Sequence, residues 1–464
     1  MAKAIDMTKG SPAKLLVRFA VPLLIGNLFQ QVYTLVDRVI VGQFVGADAF
    51  SAVGSTNALS MMFMSMCMGT AIGTGVVVSQ YFGAGDEKNT AAAIANGAYI
   101  NVITAVVMTA IALLAAEPVL RLLDTPQALM KDAVDYMLVY MGGLTAVSAY
   151  YTPFSILRAL GDSKTPLIFL VFCSVLNIVL DLIFVVPFGM GVIGAAIATV
   201  FSQAVAAFSC MVYAFRKVPQ FKEALKYARP NRVLLRQTLR MGIPAGFQYS
   251  LMYISGIVLQ RVVNSFGADA IGAFTATTQM ETMVQQIYSA LGSAMVTYTG
   301  QNMGAGKTGR VREGMRSAMG ISAVVSVFLL ALFWIGGRGI MGIFVPDQNI
   351  ISLAHSGIRI TSLFFMALGV VQVVRFLLNG AGDSVYALLN GMVEIAARIG
   401  FAVALTAIPF IGIWGIWLTT GLTWLVTAGF ALWRYRGGVW MEKSLVQAAR
   451  SEAGPDGAQG KQKL

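Results

Sequence analysis

The chain has 464 residues, of which 57% are hydrophobic and only 12% are charged, and its mean hydropathy is +0.73. A soluble globular protein needs more charged surface than this, so the composition argues against a soluble fold. The formal net charge of +12 would suit a nucleic-acid-binding protein, but the placement of the basic residues favours a membrane surface and no nucleic acid partner.

Long uncharged runs interrupt the charged residues along the chain. Four runs contain no Asp, Glu, Lys or Arg: residues 49–85, 89–116, 182–215 and 399–433. Because a membrane-spanning helix needs about 20 apolar residues, we predict an all-α polytopic membrane protein. The chain has room for twelve transmembrane helices, at residues 15–43, 51–80, 89–115, 128–157, 164–186, 190–215, 236–265, 272–301, 312–335, 350–378, 385–408 and 411–434.

The basic residues divide unequally between the two sides that these spans define. The side that includes both chain ends carries 25 Lys and Arg, whereas the loops of the other side carry three, Arg121, Lys131 and Arg338. Basic residues accumulate on the cytoplasmic side of membrane proteins. We therefore predict a multi-pass protein of the cell (plasma) membrane with both termini in the cytoplasm.

The spans and the charge pattern divide the chain into five segments. Residues 1–14 are predicted to be a cytoplasmic N-terminus, and residues 15–215 a first lobe of six spans. Residues 216–235 form a basic cytoplasmic linker, and residues 236–434 form a second lobe of six spans. The cytoplasmic tail, residues 435–464, ends in a polar, Gly-rich stretch and is predicted to be disordered.

Four motifs of the first half recur in the second half, and all four pairs are separated by the same offset along the chain. The matched pairs are SQYFGAG (79–85) with GQNMGAG (300–306), LRALGDS (157–163) with LNGAGDS (378–384), GVIGAAIAT (191–199) with GIWGIWLTT (412–420), and VGADA (45–49) with FGADA (266–270). Four matches in one register indicate a duplication. Since each half holds six spans, the two bundles are expected to be pseudo-symmetric about an axis along the membrane normal, with substrate bound between them.

Several polar residues of the first half lie inside predicted membrane spans. The first span carries a stripe at spacings of three and four residues, made of Gln30, Tyr33, Thr34 and Asp37. In the fifth span, Asn177 and Asp181 are one turn apart. A charge in hydrocarbon is costly, so these faces should point into the bundle, and intramembrane acids are usually functional. Two neighbouring carboxylates in a low dielectric would bind a proton or hold a cation between them.

A structural alternative for Asp37 is an ion pair with Arg38 or with another arginine. Consecutive residues of a helix point about 100° apart. Arg38 is therefore expected to extend toward the lipid headgroups instead of toward Asp37.

Two acids of the second half have different interpretations. In the eighth span, Glu281 shares a face with Gln285 and Tyr288, and it either attracts a cationic substrate or belongs to a polar seam. In the eleventh span, Glu394 precedes Arg398 by four residues, the order that favours an ion pair along one helix. We interpret this pair as structural.

The sequence contains no other pattern of a metal or catalytic site. His355 is the only histidine, which excludes a site made of several histidines. The three cysteines, Cys67, Cys173 and Cys210, lie in apolar runs and are expected to be packing residues. There is no GxSxG motif and no nucleophile with a matching base, so an enzyme is not predicted and no cofactor is expected.

Three stretches of the chain resemble the multidrug and toxic compound extrusion (MATE) family. They are PLLIGNLFQQVYTLVDRVIVGQFVGADAFSAVG (22–54), SQYFGAGD (79–86) and LRALGDSKTP (157–166). Together with the second-half copies, the resemblance covers about residues 15–435. It implies twelve helices in two six-helix bundles. It also implies efflux of organic, often cationic and amphipathic compounds in exchange for H⁺ or Na⁺, with alternating access between two lobes.

Within that family the chain is similar to the DinF-like branch, which carries an Asp in helix 1, an Asn-x-x-x-Asp in helix 5 and a Thr in helix 6. The matching residues are Asp37, Asn177, Asp181 and Thr199. The resemblance implies that they form a cation-coupling site. Their oxygen atoms suit either a proton or Na⁺, and no other metal is implied. The NorM-like branch has an acid in the middle of helix 7, where this chain has Gln248.

Further expectations concern the substrate and the competing functions. The candidate substrate contacts are Gln30, Tyr33, Thr34, Glu281, Gln285 and Tyr288. A flippase of a lipid-linked oligosaccharide or other amphiphile is the main alternative, but it should line its cavity with several basic residues. A channel would not require the two carboxylates. We expect small-molecule organic substrates, a lipid bilayer as surroundings, and a monomer.

Overall fold

A computed structural model describes residues 5–122 and 125–452 of the protein. These residues form helices and connecting turns, and no β-strand occurs among them. The helices are α1 (Pro12–Phe44), α2 (Ala47–Gly83), α3 (Glu87–Leu122), α4 (Gln127–Gly142), α5 (Leu144–Ala159), α6 (Lys164–Val185), α7 (Gly191–Lys217), α8 (Pro219–Ala224), α9 (Arg232–Asn264), α10 (Ala268–Gly304), α11 (Thr308–Met341), α12 (Gln348–Ser362), α13 (Phe365–Ala381), α14 (Ser384–Thr406), α15 (Gly415–Arg436) and α16 (Leu445–Glu452).

The described residues contain twelve helical segments that are long enough to span a membrane. Eight of these helices have the length and the apolar composition of a span, and the bent pair α12–α13 makes a ninth. The helices α9 and α10 are 33 and 37 residues long and are more polar. The consecutive helices α4 and α5 together form the twelfth membrane-spanning segment. Two short 3₁₀ segments, Gly412–Trp414 and Val439–Glu442, complete the secondary structure of the described residues.

Two of the twelve membrane-spanning segments are interrupted, and the interruptions lie at equivalent positions in the two copies of the repeat. The break between α4 and α5 lies at Gly143, and the break between α12 and α13 includes Phe364, which is the repeat equivalent of Gly143. A Gly–Gly pair, Gly142 and Gly143, explains the first break. At the second break the amides of Leu363 and Phe364 donate to carbonyls three residues earlier, and the axis bends by 51°. The sequence predicts continuous spans at both places, and the structure divides each of them.

Two Gly-Asp turns of the first half end one helix and begin the next. In the turn before α6, the Asp162 carboxylate accepts hydrogen bonds from the amides of Lys164 and Thr165, both at 3.0 Å. In the turn before α3, the Asp86 carboxylate accepts from the amide of Asn89 at 3.1 Å. These bonds satisfy amides that a helix leaves unpaired in its first turn. The motifs therefore fix where α3 and α6 start.

We call α1–α7 the N-lobe and α9–α15 the C-lobe. The lobes meet where α2 packs against α9 and α10, and where α1 packs against α10. Midway along α2 and α9, the hydroxyl oxygens of Ser65 and Ser250 lie 2.5 Å apart. At one end of the bundle, both ends of the described chain contact the last turns of α2 and α10 and the turns that follow α5 and α13. We call this end the termini face.

The linker between the lobes is held against α3. Asn96 of α3 accepts a hydrogen bond from the amide of Asn231 at 2.7 Å, and the Tyr99 hydroxyl donates to the Ala228 carbonyl at 2.6 Å. The helix α8 also packs on α3. The C-lobe begins four residues earlier than predicted, because the Asn231 side chain caps α9 at Arg232.

The segment after α15 corrects the prediction of a disordered tail. Residues 439–452 form a 3₁₀ turn and α16, which pack on the termini face. The Trp440 side chain is 1% exposed, its ring stacks on Tyr435 with centroids 5.5 Å apart, and Leu445 is also buried. Burial of these large apolar side chains supplies the free energy that orders the segment. Residues 1–4 and 453–464 lie outside the described part of the chain.

Candidate coupling and substrate-binding site

The four residues predicted to form a coupling site come together inside the N-lobe. Asp37 is in α1, Asn177 and Asp181 are one turn apart in α6, and Thr199 is in α7. Because α6 packs against both α1 and α7, the carboxyl groups of Asp37 and Asp181 become neighbours. The Asn177 side-chain amide donates to the Thr199 hydroxyl oxygen at 3.4 Å. The structure thus assembles one polar cluster from three helices.

Several buried oxygen atoms of this cluster have no hydrogen-bond partner. They are Oδ1 of Asp37, Oδ1 of Asn177, and both carboxylate oxygens of Asp181. The Asp181 side chain is completely buried, at 0% exposure. An unsatisfied buried polar atom costs about 1–3 kcal/mol, and more when it is charged. A proton or a cation bound at these oxygens would remove that cost.

No basic side chain of the described residues forms an ion pair with Asp37 or Asp181. The ion pairs within residues 5–122 and 125–452 involve other acids: Asp6, Glu117, Asp383 and Glu394. Arg38 is close enough to influence Asp37 electrostatically but forms no ion pair with it. Among the described residues, the structural alternative of an arginine paired with Asp37 is therefore not present.

The other stripe residues of α1 are partly buried on the same helix. Tyr33 lies near Tyr151 and Cys173, and it is also near Asp37. The Thr34 hydroxyl donates to the Gln30 backbone carbonyl at 2.9 Å, so its proton is used within the helix. The polar face of α1 therefore continues from the acid cluster toward Gln30.

In the C-lobe the predicted substrate contacts differ in accessibility. Glu281 is 6% exposed, its Oε1 atom has no hydrogen-bond partner, and its nearest polar neighbours include Thr361 and Arg398. Gln285 is partly exposed. Tyr288 is buried in the C-lobe core, and its hydroxyl oxygen lies 2.6 Å from that of Ser326. Tyr288 is therefore not accessible to a substrate in this conformation.

The predicted ion pair of α14 is present and has a further member. Arg398 lies 3.3 Å from Glu394, but Arg375 of α13 lies closer, at 2.6 Å, and is only 4% exposed. Arg375 also donates to the Asn390 side-chain oxygen at 3.0 and 2.8 Å. The sequence does not reveal the partners of Arg375, because they come from another helix.

A family model matches both lobes of the chain. The MatE model covers residues 22–183 and again residues 244–404, once in each lobe. The chain belongs to the MatE family. MATE proteins are transporters and not enzymes, and the twelve-helix bundle is their fold. The two matches agree with the internal duplication.

Relatives of this MATE chain cover nearly all of it. The probable multidrug resistance protein YpnP of Bacillus subtilis (strain 168) is 30% identical over 449 residues, which are 96% of this chain and 99% of that protein. The multidrug export protein MepA of Staphylococcus aureus (strain MSSA476) is 24% identical over 390 residues, 82% of this chain and 85% of that protein.

A solved structure shares the MATE fold. It is the outward-facing conformation of a multidrug resistance MATE family transporter of the MOP superfamily, with a TM-score of 0.87. The match covers 95% of this chain and 99% of that chain at 23% sequence identity. Together these likenesses establish a transporter of the MATE family with a multi-pass membrane setting.

The structure adds an aromatic wall that the sequence analysis of this MATE transporter missed. Tyr136 and Tyr140 of α4 stack with centroids 5.8 Å apart, and Tyr136 is close to both Asp37 and Asp181. Their spacing of four residues, in DYMLVYM, indicates a shared helix face. That signal predicts two neighbouring tyrosines, but it does not predict that Tyr136 lies near the acid pair.

Proposed function

We propose that this MATE transporter exports organic, often cationic and amphipathic compounds by antiport with H⁺ or Na⁺. The observation that carries the proposal is the acid pair: Asp37 and Asp181 are neighbours, and three of their carboxylate oxygens have no hydrogen-bond partner among the described residues. No ion pair with a basic side chain of the described residues neutralises them. Asn177 and Thr199 supply further oxygens beside the pair. A site of this kind gains and loses a small cation as its exposure to water changes.

The proton and Na⁺ place different demands on these four residues. A proton needs one carboxylate oxygen as its acceptor, and the second carboxyl group then serves as a hydrogen-bond partner. Sodium needs several oxygen ligands, which the two carboxylates, the Asn177 amide oxygen and the Thr199 hydroxyl would provide together. Both ions fit the donor set, and transport driven by one gradient at a time separates them.

We further propose that the substrate contacts polar residues of both lobes. Gln30, Tyr33 and Thr34 line the N-lobe side, and Glu281 with Gln285 offers a negative and a polar group on the C-lobe side. The similarity to a probable multidrug resistance protein and to a multidrug export protein supports this substrate class. A lone carboxylate in a weakly polar cavity attracts an organic cation.

The orientation and the conformational cycle are part of the same proposal. The termini face is the cytoplasmic face of the plasma membrane, because the basic residues concentrate there. The two lobes move as units about their interface and expose the cavity to each side in turn, and the protein works as a monomer. The likeness to an outward-facing structure supports assigning the present conformation to the state that is closed at the termini face.

No observation favours the flippase of a lipid-linked oligosaccharide. Such a protein needs free basic groups for a pyrophosphate. The two arginines of the C-lobe interior, Arg375 and Arg398, are both paired with Glu394. The transporter of organic cations is therefore the better supported function.

The test is transport by the purified protein in lipid vesicles. Uptake of a fluorescent organic cation is followed under a proton gradient and, separately, under a Na⁺ gradient. We expect one gradient to drive uptake, and we expect Asp37→Asn and Asp181→Asn each to lower the driven rate at least about tenfold, as for loss of a coupling group. Transport that neither gradient drives would refute the antiport mechanism.

A matched control makes the same chemical change outside the cavity. Glu117→Gln alters an exposed carboxylate that pairs with Arg121 near the end of α3, so its uptake rate should equal that of the unmodified protein. Full activity in both Asp variants would remove the support for the coupling assignment and leave the fold unaffected.

A further inference from the structure

The duplicated motifs SQYFGAG and GQNMGAG place two glutamines at the termini face. Gln80 of α2 and Gln301 of α10 are the second residues of the two motifs and therefore occupy equivalent positions of the repeat. Both side chains are completely buried, at 0% exposure. The proposed transport function uses neither residue. A buried amide that loses its hydrogen bonds destabilises the fold. The hydrogen-bond partners of these two glutamines therefore show which parts of the structure they hold together.

Gln80 joins the N-lobe to the C-lobe and to the C-terminal segment. Its Nε2 atom donates to the Gly380 carbonyl at the end of α13, at 2.9 Å. Its Oε1 atom accepts from the amide of Leu445 at the start of α16, at 2.8 Å. The Leu445 carbonyl in turn accepts from the Gln237 side chain of α9 at 3.0 Å. One amide therefore connects both lobes and the chain end.

Gln301 makes the same contacts with the roles of the lobes exchanged. Its Nε2 atom donates to the Ala159 carbonyl at the end of α5, at 2.9 Å. Ala159 is the repeat equivalent of Gly380, since each is the third residue of its copy of the Gly-Asp motif. The Oε1 atom of Gln301 accepts from the amide of Met7 in the N-terminal segment, at 3.0 Å. That segment is also held by Asn302, which donates to the Met7 carbonyl at 3.0 Å.

The two helices touch where these glutamines lie. A Cβ atom added to Gly83 would collide with the backbone of Gln301, and one added to Gly304 would collide with the backbone of Gln80. Only glycine permits this reciprocal approach of two backbones. The crossing of α2 and α10 therefore closes the termini face, and the glutamine side chains bond across it.

We propose that Gln80 and Gln301 are a symmetric pair of positioning residues that hold the termini face closed, and that the two chain ends complete the closure. Each glutamine bonds one helix end of the opposite lobe and one terminal segment, and these bonds must break when the lobes separate. This inference rests on the proposed alternating access. It adds the residues that set the balance between the closed and open forms of this face.

The N-terminal and C-terminal segments determine how much free energy is needed to separate the lobes at the termini face. Met7 and Leu445 are buried against the crossing, so water does not reach the glutamine amides in the closed form. Separation of the lobes must move at least one partner of each amide, and the freed groups then need water. Closure is therefore a cooperative state of two glutamines, two helix ends and two chain ends.

The experiment measures the separation of the lobes at the termini face. Cysteines replace Glu87 and Gly309, exposed positions at the starts of α3 and α11, in a background without Cys67, Cys173 and Cys210. Spin labels on both report the distance between N-lobe and C-lobe in lipid nanodiscs. Gln80→Met and Gln301→Met keep the side-chain length and remove the hydrogen bonds. We expect each to raise the ratio of long to short distances about tenfold, as for loss of two net hydrogen bonds.

The matched control is Asn96→Leu. Asn96 is a buried amide of the same face that bonds backbone groups of the linker, but it does not bond across the α2–α10 crossing. It should lower thermal stability without changing the distance ratio. If Gln80→Met fails to fold, Gln80→Glu tests the same point, because it keeps the acceptor for Leu445 and loses the donor to Gly380.

The outcomes separate this inference from the proposed function. Unchanged distance ratios in both glutamine variants, alongside a distance in the unmodified protein that responds to substrate and to the driving ion, would overturn the positioning role alone. A distance that never changes under any condition would overturn alternating access and, with it, this inference. A tenfold shift in the glutamine variants that Asn96→Leu does not reproduce would establish it.

Discussion

Arg375 lies closer to Glu394 than Arg398 does, at 2.6 Å against 3.3 Å, although only Arg398 is on the same helix as the acid. The guanidinium of Arg375 is also fixed by two hydrogen bonds to Asn390. The carboxylate is therefore held between α13 and α14. A buried pair of this kind contributes to specific packing, and removing one partner leaves an uncompensated charge.

Arg375→Gln is expected to destabilise the C-lobe strongly. Removal of one partner of a buried ion pair costs about 3–5 kcal/mol, whereas Arg398→Gln leaves Glu394 its closer partner and should cost clearly less. Melting temperature in detergent, followed by fluorescence, measures the difference. Arg261→Gln, at an exposed site near the end of α9, is the control and should melt like the unmodified protein. Equal losses at residues 375 and 398 would contradict this ranking.

Asp181→Asn is expected to separate stability from transport. Both carboxylate oxygens of Asp181 are buried and accept no hydrogen bond from a donor of the described residues, so a neutral amide should avoid the cost of burying a second negative charge beside Asp37. The variant should melt at a higher temperature while losing ion-driven transport. A lower melting temperature would show that Asp181 binds a stabilising group such as a proton or Na⁺, whereas an unchanged rate of ion-driven transport would contradict the coupling assignment.

Tyr136→Phe should change the apparent substrate affinity. Its ring packs beside Tyr140 and lies near the acid pair, and we infer that its hydroxyl contacts the substrate. Loss of one such hydrogen bond is worth about 0.5–1.5 kcal/mol, or roughly two- to tenfold in KM. Concentration dependence of vesicle uptake measures this change. Tyr213→Phe, whose ring packs on Phe169 in the same lobe, should leave KM unaltered. The same KM in both variants would argue against a substrate-facing wall.

Truncation at two points should distinguish the packed part of the tail from its end. Deletion of residues 439–464 removes Trp440 and Leu445, which bury large apolar side chains on the termini face, and should lower the melting temperature by several degrees. Deletion of residues 453–464 leaves Trp440, Leu445 and their contacts in place and should have no such effect. Equal melting temperatures of the two truncated proteins would show that the packing of Trp440 contributes little.

Much of the fold could be predicted, because a membrane helix is determined mainly by the composition and length of its own segment. Uncharged runs and their lengths placed the spans, and the constant offset between the paired motifs indicated two related bundles. The breaks near Gly143 and Phe364 escaped prediction, since a helix interruption depends on packing more than on hydropathy. The ordered structure of residues 439–452 could not be predicted for a similar reason. A short segment is stabilised only by packing against the rest of the protein.

The candidate site was predictable in part. An acid in an apolar span is visible in any sequence, so Asp37, Asp181 and Glu281 could be selected before their surroundings were known. The tyrosine wall and the closer partner of Glu394 could not be selected in this way. Tyrosine and arginine occur at many positions of the chain, and only contact between helices distinguishes these few.

A duplicated bundle of membrane helices with acids inside it follows from the order of the amino acids alone, because hydropathy, helical spacing and repeats act over short or regular distances. Which polar groups meet depends on how the helices pack in three dimensions. Gln80 and Leu445, Gln301 and Met7, and Arg375 and Glu394 are contacts between different elements. Such partners are chosen by how the helices pack, and the cost of an unsatisfied group in a buried, weakly polar interior is what holds each of them in place.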